Sequence, residues 1–199
     1  MSHSYTPTTL AIANHELFAA VGRDLFLTGH NTARHGNLSI RIGDRILITR
    51  SGSMLSRLEL TDIIDTGMEP SASDEGCSRE LVVHRAVYAA THAKAICHAH
   101  PPHTMFRSLV DDVIEPLDSE ARFVIGDKIP VLVPQVKIGS SEAAEMLAEV
   151  LQEVPVGVLR THGPFGIGES LWDAWSIITV LEESCHILDL RDSTGLPLL

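Results

Sequence analysis

The chain has 199 residues, 44% of them apolar and 21% charged, which fits one globular domain with a real core. Its formal net charge of −11 repels nucleic acid and anionic membrane overall, so neither is expected as a partner, and any phosphate site has to be built locally. No run of about 18 apolar residues is present to span a bilayer. The first 18 residues lack a charged-then-apolar signal pattern. The three cysteines, Cys77, Cys97 and Cys185, are widely spaced, which argues against a disulfide framework; the expectation is a cytoplasmic protein.

Residues 8–28 predict an amphipathic helix ended by Gly29, with Leu10, Ile12, Leu17, Val21, Leu25 and Leu27 as its apolar stripe. Residues 37–41 and 44–49 alternate polar and apolar around Ile42-Gly43-Asp44, a hairpin signal. Residues 69–78 are polar and loop-like. A helix is predicted over 79–93 and a strand over 94–100, stopped by Pro101-Pro102. Further strands are predicted at 121–125, 130–134, 156–161 and 164–168, and helices at 140–152 and 170–190. The last helix opens on Ser170 with Asp173 three residues on, a capping-box pattern. Its apolar residues lie nearly all round, as in helices buried between layers or in a subunit interface. The irregular order of helices and strands predicts a single-domain α/β fold with a central, mostly antiparallel or mixed sheet.

Three of the eleven histidines fall in Cys97-His98-Ala99-His100-Pro101-Pro102-His103. On a strand, side chains at i and i+2 share a face, so His98 and His100 can aim at one ion about 2.0–2.1 Å away. Cys97 faces the other way, as a buried filler. His162, in Thr161-His162-Gly163-Pro164 after an apolar run, is the candidate third ligand. Three protein ligands with an open position describe a catalytic zinc. The bland alternative is that a His-x-His pair is only two surface histidines. His103, His84 and His92 are not expected to be ligands.

Glu80 falls in the predicted first turn of the 79–93 helix, with Ser78 as N-cap. Ser78, Arg79 and the free backbone N–H groups there make a phosphate cradle. Glu80 either complements the helix dipole from the surface or turns inward as a base beside the metal. Thr49-Arg50-Ser51-Gly52-Ser53 is a second polar turn able to bind an anion.

Taken in order, Gly36-Asn37-Leu38-Ser39, Ile46 to Thr49 followed by Ser51-Gly52, Ser78-Arg79-Glu80 with His84 four residues past the acid, His98-Ala99-His100, and His162-Gly163 resemble the class II aldolase/adducin family. The resemblance runs from about residue 10 to 190. It implies one domain over residues 1–199 with a central antiparallel sheet flanked by helices, and a homotetramer with active sites at subunit interfaces. It implies Zn²⁺ on His98, His100 and His162, with Glu80 as acid/base and as a fourth ligand before substrate arrives. Gly36, Asn37, Ser51, Gly52, Ser78 and Arg79 would hold the phosphate of a small phosphorylated sugar. The implied reaction is aldol cleavage of an L-fuculose-1-phosphate-like ketose to dihydroxyacetone phosphate and an aldehyde through a metal-stabilised enediolate.

Two sister activities fit the same residues, 4-epimerisation of a pentulose phosphate and decarboxylation of a phosphorylated 3-keto sugar acid. A non-enzymatic adducin-like role would not need the three histidines and Glu80. The chain departs from the family in reading Cys77-Ser78-Arg79-Glu80 where Pro-Ser-Ser-Glu is usual. It carries only Tyr5 and Tyr88, neither placed like the family's aldehyde-side tyrosines. Asp127 precedes Lys128-Ile129-Pro130, one residue out of the epimerase register.

Overall fold

The computed structural model describes residues 6–195; Tyr5 and residues 196–199 lie outside them. The chain runs α1 (Thr9–Leu27), β1 (Asn37–Ile42), β2 (Arg45–Thr49), β3 (Ile63–Gly67), α2 (Leu81–Ala90), β4 (Ala95–His98), α3 (Pro102–Val110), β5 (Val113–Ile114), α4 (Ser119–Ile125), β6 (Ile129–Leu132), α5 (Ser141–Val150), β7 (Val156–Leu159), β8 (Gly163–Gly168) and α6 (Leu171–Thr194), with short 3-10 turns between β2 and α2. Eight strands form one sheet in the order β3-β2-β1-β4-β8-β7-β6-β5. Every pairing among the described residues is antiparallel except β6 with β7, which is parallel. The expected single α/β domain with a mixed, mostly antiparallel sheet is therefore the fold.

Each face of the sheet carries its own core. Leu38 and Ile40 of β1, Cys97 of β4, and Val156 and Val158 of β7 pack with α1, α4 and α6. Ile46 and Ile48 of β2, Ile96 of β4 and Phe165 of β8 pack with α2 and α5. The alternation follows from the two-residue period of a strand. It leaves Asn37, Ser39 and His98, the residues out of phase with Leu38 and Cys97, on the α2 side. Cys97 is fully buried on the opposite side, as expected, and burial pushes its thiol pKa up.

Several boundaries move. The 121–125 run is not a strand but the end of α4: Asp118 caps that helix by accepting from Ala121 N. A run as short as Ala121-Arg122-Phe123-Val124-Ile125 is ambiguous by periodicity alone, and the cap decides it. The 79–93 helix shortens to Leu81–Ala90, and its N-cap is Glu80, not Ser78. Leu81 N donates to the Ser78 carbonyl, closing a turn that delays the helix. In α1 the buried stripe includes Phe18, whereas Ile12 and Leu27 are 57% and 71% exposed.

Helix α6 resolves its own sequence puzzle. Leu171, Ala174, Ile178, Leu181, Cys185 and Leu188 are buried in the first core, while α1, α3 and α4 pack along its other sides. Its all-round apolar character is thus satisfied mostly inside the chain. Glu182, also buried, reaches from α6 to accept from His103 N, Thr104 N and Thr104 Oγ1. It thereby satisfies the free N–H groups at the start of α3.

A candidate metal centre and its cleft

His98 ends β4, between Asn37 of β1 and Phe165 of β8 in the cross-strand register. Its ring stacks on Phe165 with centroids 4.0 Å apart. His98 Nδ1 lies 2.9 Å from the Pro164 carbonyl. A carbonyl only accepts, so Nδ1 carries the proton and the Nε2 lone pair points inward.

His100 lies two residues on, past the strand end. Its backbone N–H donates to the His30 carbonyl and to Asn31 Oδ1. The loop before β1, rather than strand geometry, therefore aims its ring. Gly36 belongs to the same loop: its φ is +75°, and a Cβ there would stand 2.5 Å from both Asn31 Nδ2 and the His98 carbonyl, so only glycine fits.

His162 sits in the tight β7–β8 turn, where Thr161 has a φ of 63°. Gly163 follows at φ +131°, with the Ala99 carbonyl 2.3 Å from where a Cβ would be. The turn carries the His162 ring over β4.

The ligand atoms of His98, His100 and His162 lie within 4.8 Å of one another, and the Nε2 atoms of His98 and His100 are 3.0 Å apart. Burial lowers the pKa of His98 to about 4, against the opposing pull of Glu80. Burial, then the neighbouring His98 and His162, lowers that of His100 to about 2. Both rings are neutral at physiological pH, the form that binds metal.

Glu80 is 3% exposed. Its side chain does not cap its own helix but turns inward. Oε1 pairs with His162 Nε2 at 2.7 Å, and Oε2 accepts from Asn37 Nδ2 at 2.7 Å and lies 3.3 Å from His98 Nε2. Burial alone would raise its carboxyl, but His98, His162 and Asn37 outweigh it and hold it below the ordinary carboxylate range. Several lone-pair-bearing atoms thus converge on one point, an arrangement that asks for a cation. Three imidazole nitrogens with a carboxylate oxygen are a donor set that suits Zn²⁺.

Glu80, His100 and His162 line a cleft of about 320 Å³ together with Gly36, Asn37, Ser51, Gly52, Ser78 and Arg79. The two polar turns meet because Arg50 and Cys77 form an isolated bridge, Ser51 N donates to the Gly76 carbonyl, and Ser78 N donates to the Thr49 carbonyl. Nine of the ten residues singled out in the sequence therefore border one cleft, and the tenth, His98, lies fully buried against His100 and His162.

Sequence reasoning missed Arg34, His35 and Ile138, which line it too, and placed Arg50 only within a turn. Arg34 and His35 directly precede Gly36 and could have been found as its flank. Arg34 donates to the Gly52 carbonyl at 2.9 Å, and His35 stacks on His100 at 4.9 Å. A larger cleft, about 560 Å³ around Ala90 and Leu151, gathers none of these residues.

The histidines not expected to be ligands stand apart from this centre. His103 pairs with Asp189 at 2.6 Å, His92 is exposed, and His84 is buried beneath Glu80. Asp127, of the near-epimerase motif, lies on the surface 3.7 Å from Arg122. Among the described residues no helix is long and apolar enough to cross a membrane.

The fold and cleft place the chain among known proteins. Residues 16–188 match the family of class II aldolase and adducin N-terminal domains, and the chain belongs to that family. It is 31% identical over 184 residues to the 3-oxo-tetronate 4-phosphate decarboxylase of Haemophilus influenzae, covering 88% of this chain and 87% of that one. It is 28% identical over 171 residues to the L-fuculose phosphate aldolase of Methanocaldococcus jannaschii, covering 85% and 92%. The crystal structure of L-fuculose-1-phosphate aldolase from Thermus thermophilus superposes with a TM-score of 0.87 at 38% identity, covering 92% of this chain and 97% of that one.

Proposed function

We propose that this chain is a zinc-dependent lyase that cleaves a small phosphorylated ketose, similar to L-fuculose 1-phosphate, into dihydroxyacetone phosphate and an aldehyde. The observation that carries the reading is the buried Glu80 carboxylate held against converging histidines beside a polar cleft. His98, His100 and His162 would hold the ion, with Glu80 beside them. When bound, Zn²⁺ supplies Lewis-acid polarisation of a substrate carbonyl.

The chain's own groups do the rest. Ser51, Gly52, Ser78 and Arg79, which line the cleft, bind the phosphate, and this fixes the distance from phosphate to reacting carbon. Gly36 lets the backbone come close. Asn37 spends one amide proton on Glu80 and keeps the other for substrate. Glu80, ionised and fixed by Asn37 and His162, takes and returns the proton at the carbon next to the carbonyl.

A second reading is decarboxylation of a phosphorylated 3-keto sugar acid. Three arginines, Arg34, Arg50 and Arg79, line the cleft of a chain with net charge −11. Arg79 stands where the family usually has serine, and a guanidinium suits a substrate carboxylate. Product analysis separates the two readings. Zinc-loaded protein is incubated with phosphorylated ketoses and with phosphorylated 3-keto sugar acids. Release of dihydroxyacetone phosphate supports the first reading, carbon dioxide the second, and no turnover of any member sinks both. Under the second reading Arg79→Ser raises KM for the acid selectively.

We also infer a homotetramer in which a neighbouring chain completes the cleft. The support is not α6, whose apolar side chains are largely buried within the chain, but Phe106, Leu109, Val110, Phe123, Val136 and Ile138. Each of these is at least 51% exposed, and Ile138 borders the cleft itself. Light scattering is expected to give the mass of four chains; a clean single-chain mass at working concentration refutes the assembly and the shared cleft with it.

A further inference from the structure

From Glu80 a run of buried polar side chains leads through Asn37 to His84, Ser39 and Tyr88 with no apolar interruption. Asn37 Oδ1 is 2.5 Å from His84 Nε2, His84 Nδ1 is 2.6 Å from Ser39 Oγ, and Ser39 Oγ is 2.7 Å from Tyr88 OH. Asn37 is 5% exposed, and Ser39, His84 and Tyr88 are completely buried. The geometry follows from two periods meeting. Asn37 and Ser39 are i and i+2 on one face of β1. Glu80, His84 and Tyr88 are i, i+4 and i+8 along one side of α2 and its cap.

The chain has one consistent polarity, and Glu80 sets it. A carboxylate only accepts, so Asn37 must present Nδ2 to Glu80 Oε2 and Oδ1 to His84; the flipped amide would set two acceptors 2.7 Å apart. His84 Nε2 must then carry a proton to donate. The His84 ring is completely buried and both its nitrogens meet uncharged partners, Asn37 and Ser39, so it is neutral. Its Nδ1 is therefore the acceptor, and the Ser39 hydroxyl donates to it. Having used its only proton, Ser39 accepts from Tyr88. Each link thus points its donor toward Glu80.

We propose that His84 is a positioning residue for the reaction: through its fixed Nε2–H tautomer, set by Ser39 and Tyr88, it locks the Asn37 amide and so holds the Glu80 carboxylate where the proton is transferred. The proposal rests on the reading of Glu80 as the base. Loss of the His84 donor leaves Asn37 Oδ1 buried without a partner and the amide free to turn. A small misplacement of a reacting group costs rate far more than binding.

The test compares wild type with His84→Leu, His84→Gln, Tyr88→Phe and Glu80→Gln. The readout is exchange of the dihydroxyacetone phosphate C–H proton in deuterated water, together with zinc content. His84→Leu is expected to lose about ten- to a hundredfold in rate at saturation, with half-saturation and zinc content unchanged. His84→Gln, whose amide can donate to Asn37, recovers most of it. Tyr88→Phe loses about fivefold, as for one ordinary hydrogen bond. Nitrogen NMR of the wild-type imidazole, assigned by its absence in His84→Gln, should show Nε2 protonated and Nδ1 bare.

Equal losses in the Leu and Gln variants, a wild-type rate in His84→Leu, or the opposite tautomer overturns the proposal. If Glu80→Gln exchanges at the wild-type rate, or wild type exchanges no proton, the reading of Glu80 as base fails instead, and the tautomer alone decides the polarity of the chain. If His84→Leu does not fold, the Tyr88→Phe rate and the tautomer decide it.

Discussion

Glu80→Gln is expected to lower turnover by about 10²–10⁴-fold, the range of general acid–base catalysis, while metal and phosphate binding persist. Glutamine keeps the size of the side chain. Its carbonyl oxygen can accept from either Asn37 or His162, the partners that now hold the two carboxylate oxygens, but it cannot take a proton at neutral pH. Glu80 is kept ionised by those contacts despite its burial, so in the wild type it stands ready as an acceptor. Exchange of the substrate C–H proton with deuterated water is the direct measurement. A wild-type exchange rate in the glutamine variant would leave Glu80 as a buried partner of His162 and nothing more.

His100→Ala is expected to abolish both activity and stoichiometric zinc while leaving a folded protein. The structure makes this the cleaner of the two strand-end substitutions. His100 is half-buried and lines the cleft, and water can replace its ring. His98 is completely buried, stacks on Phe165 and satisfies the Pro164 carbonyl. His98→Ala therefore also opens a cavity and orphans an acceptor, at a cost of about 2–4 kcal/mol. Elemental analysis of purified protein should find close to one divalent ion per chain in wild type and none in His100→Ala. Full zinc occupancy in that variant would remove His100 from the ligand set.

The sequence alone determined what depends on short spacing. The cap at Ser170, the hairpin at Gly43 and the inward or outward sense of Cys97 are all set within a few residues by strand and helix periods, whereas His100, past the end of β4, is aimed by its contacts with His30 and Asn31. The ordered motifs carried the family and the fold for the same reason. Local chemistry also misled where it was ambiguous: residues 121–125 read as a strand because a mostly apolar run of five residues is too short to show a period, and Asp118 had to be recognised as a cap.

Tertiary structure alone decided what depends on distant residues meeting. Glu80 could have been a surface acid completing a helix dipole; it is a buried group because Asn37, 43 positions before it, and His162, 82 positions after it, close on its two oxygens. The all-round apolar α6 could have lain in an interface or within the fold, and packing on several sides settled it. Arg34 and His35 entered the cleft because the loop before β1 folds against the His100 backbone through Asn31 and His30. The burial of Glu80, the aim of each histidine and the polarity of the chain through His84 exist only when β1, α2, β4 and the β7–β8 turn are brought together, since a hydrogen bond across such separations leaves no periodic trace in the sequence.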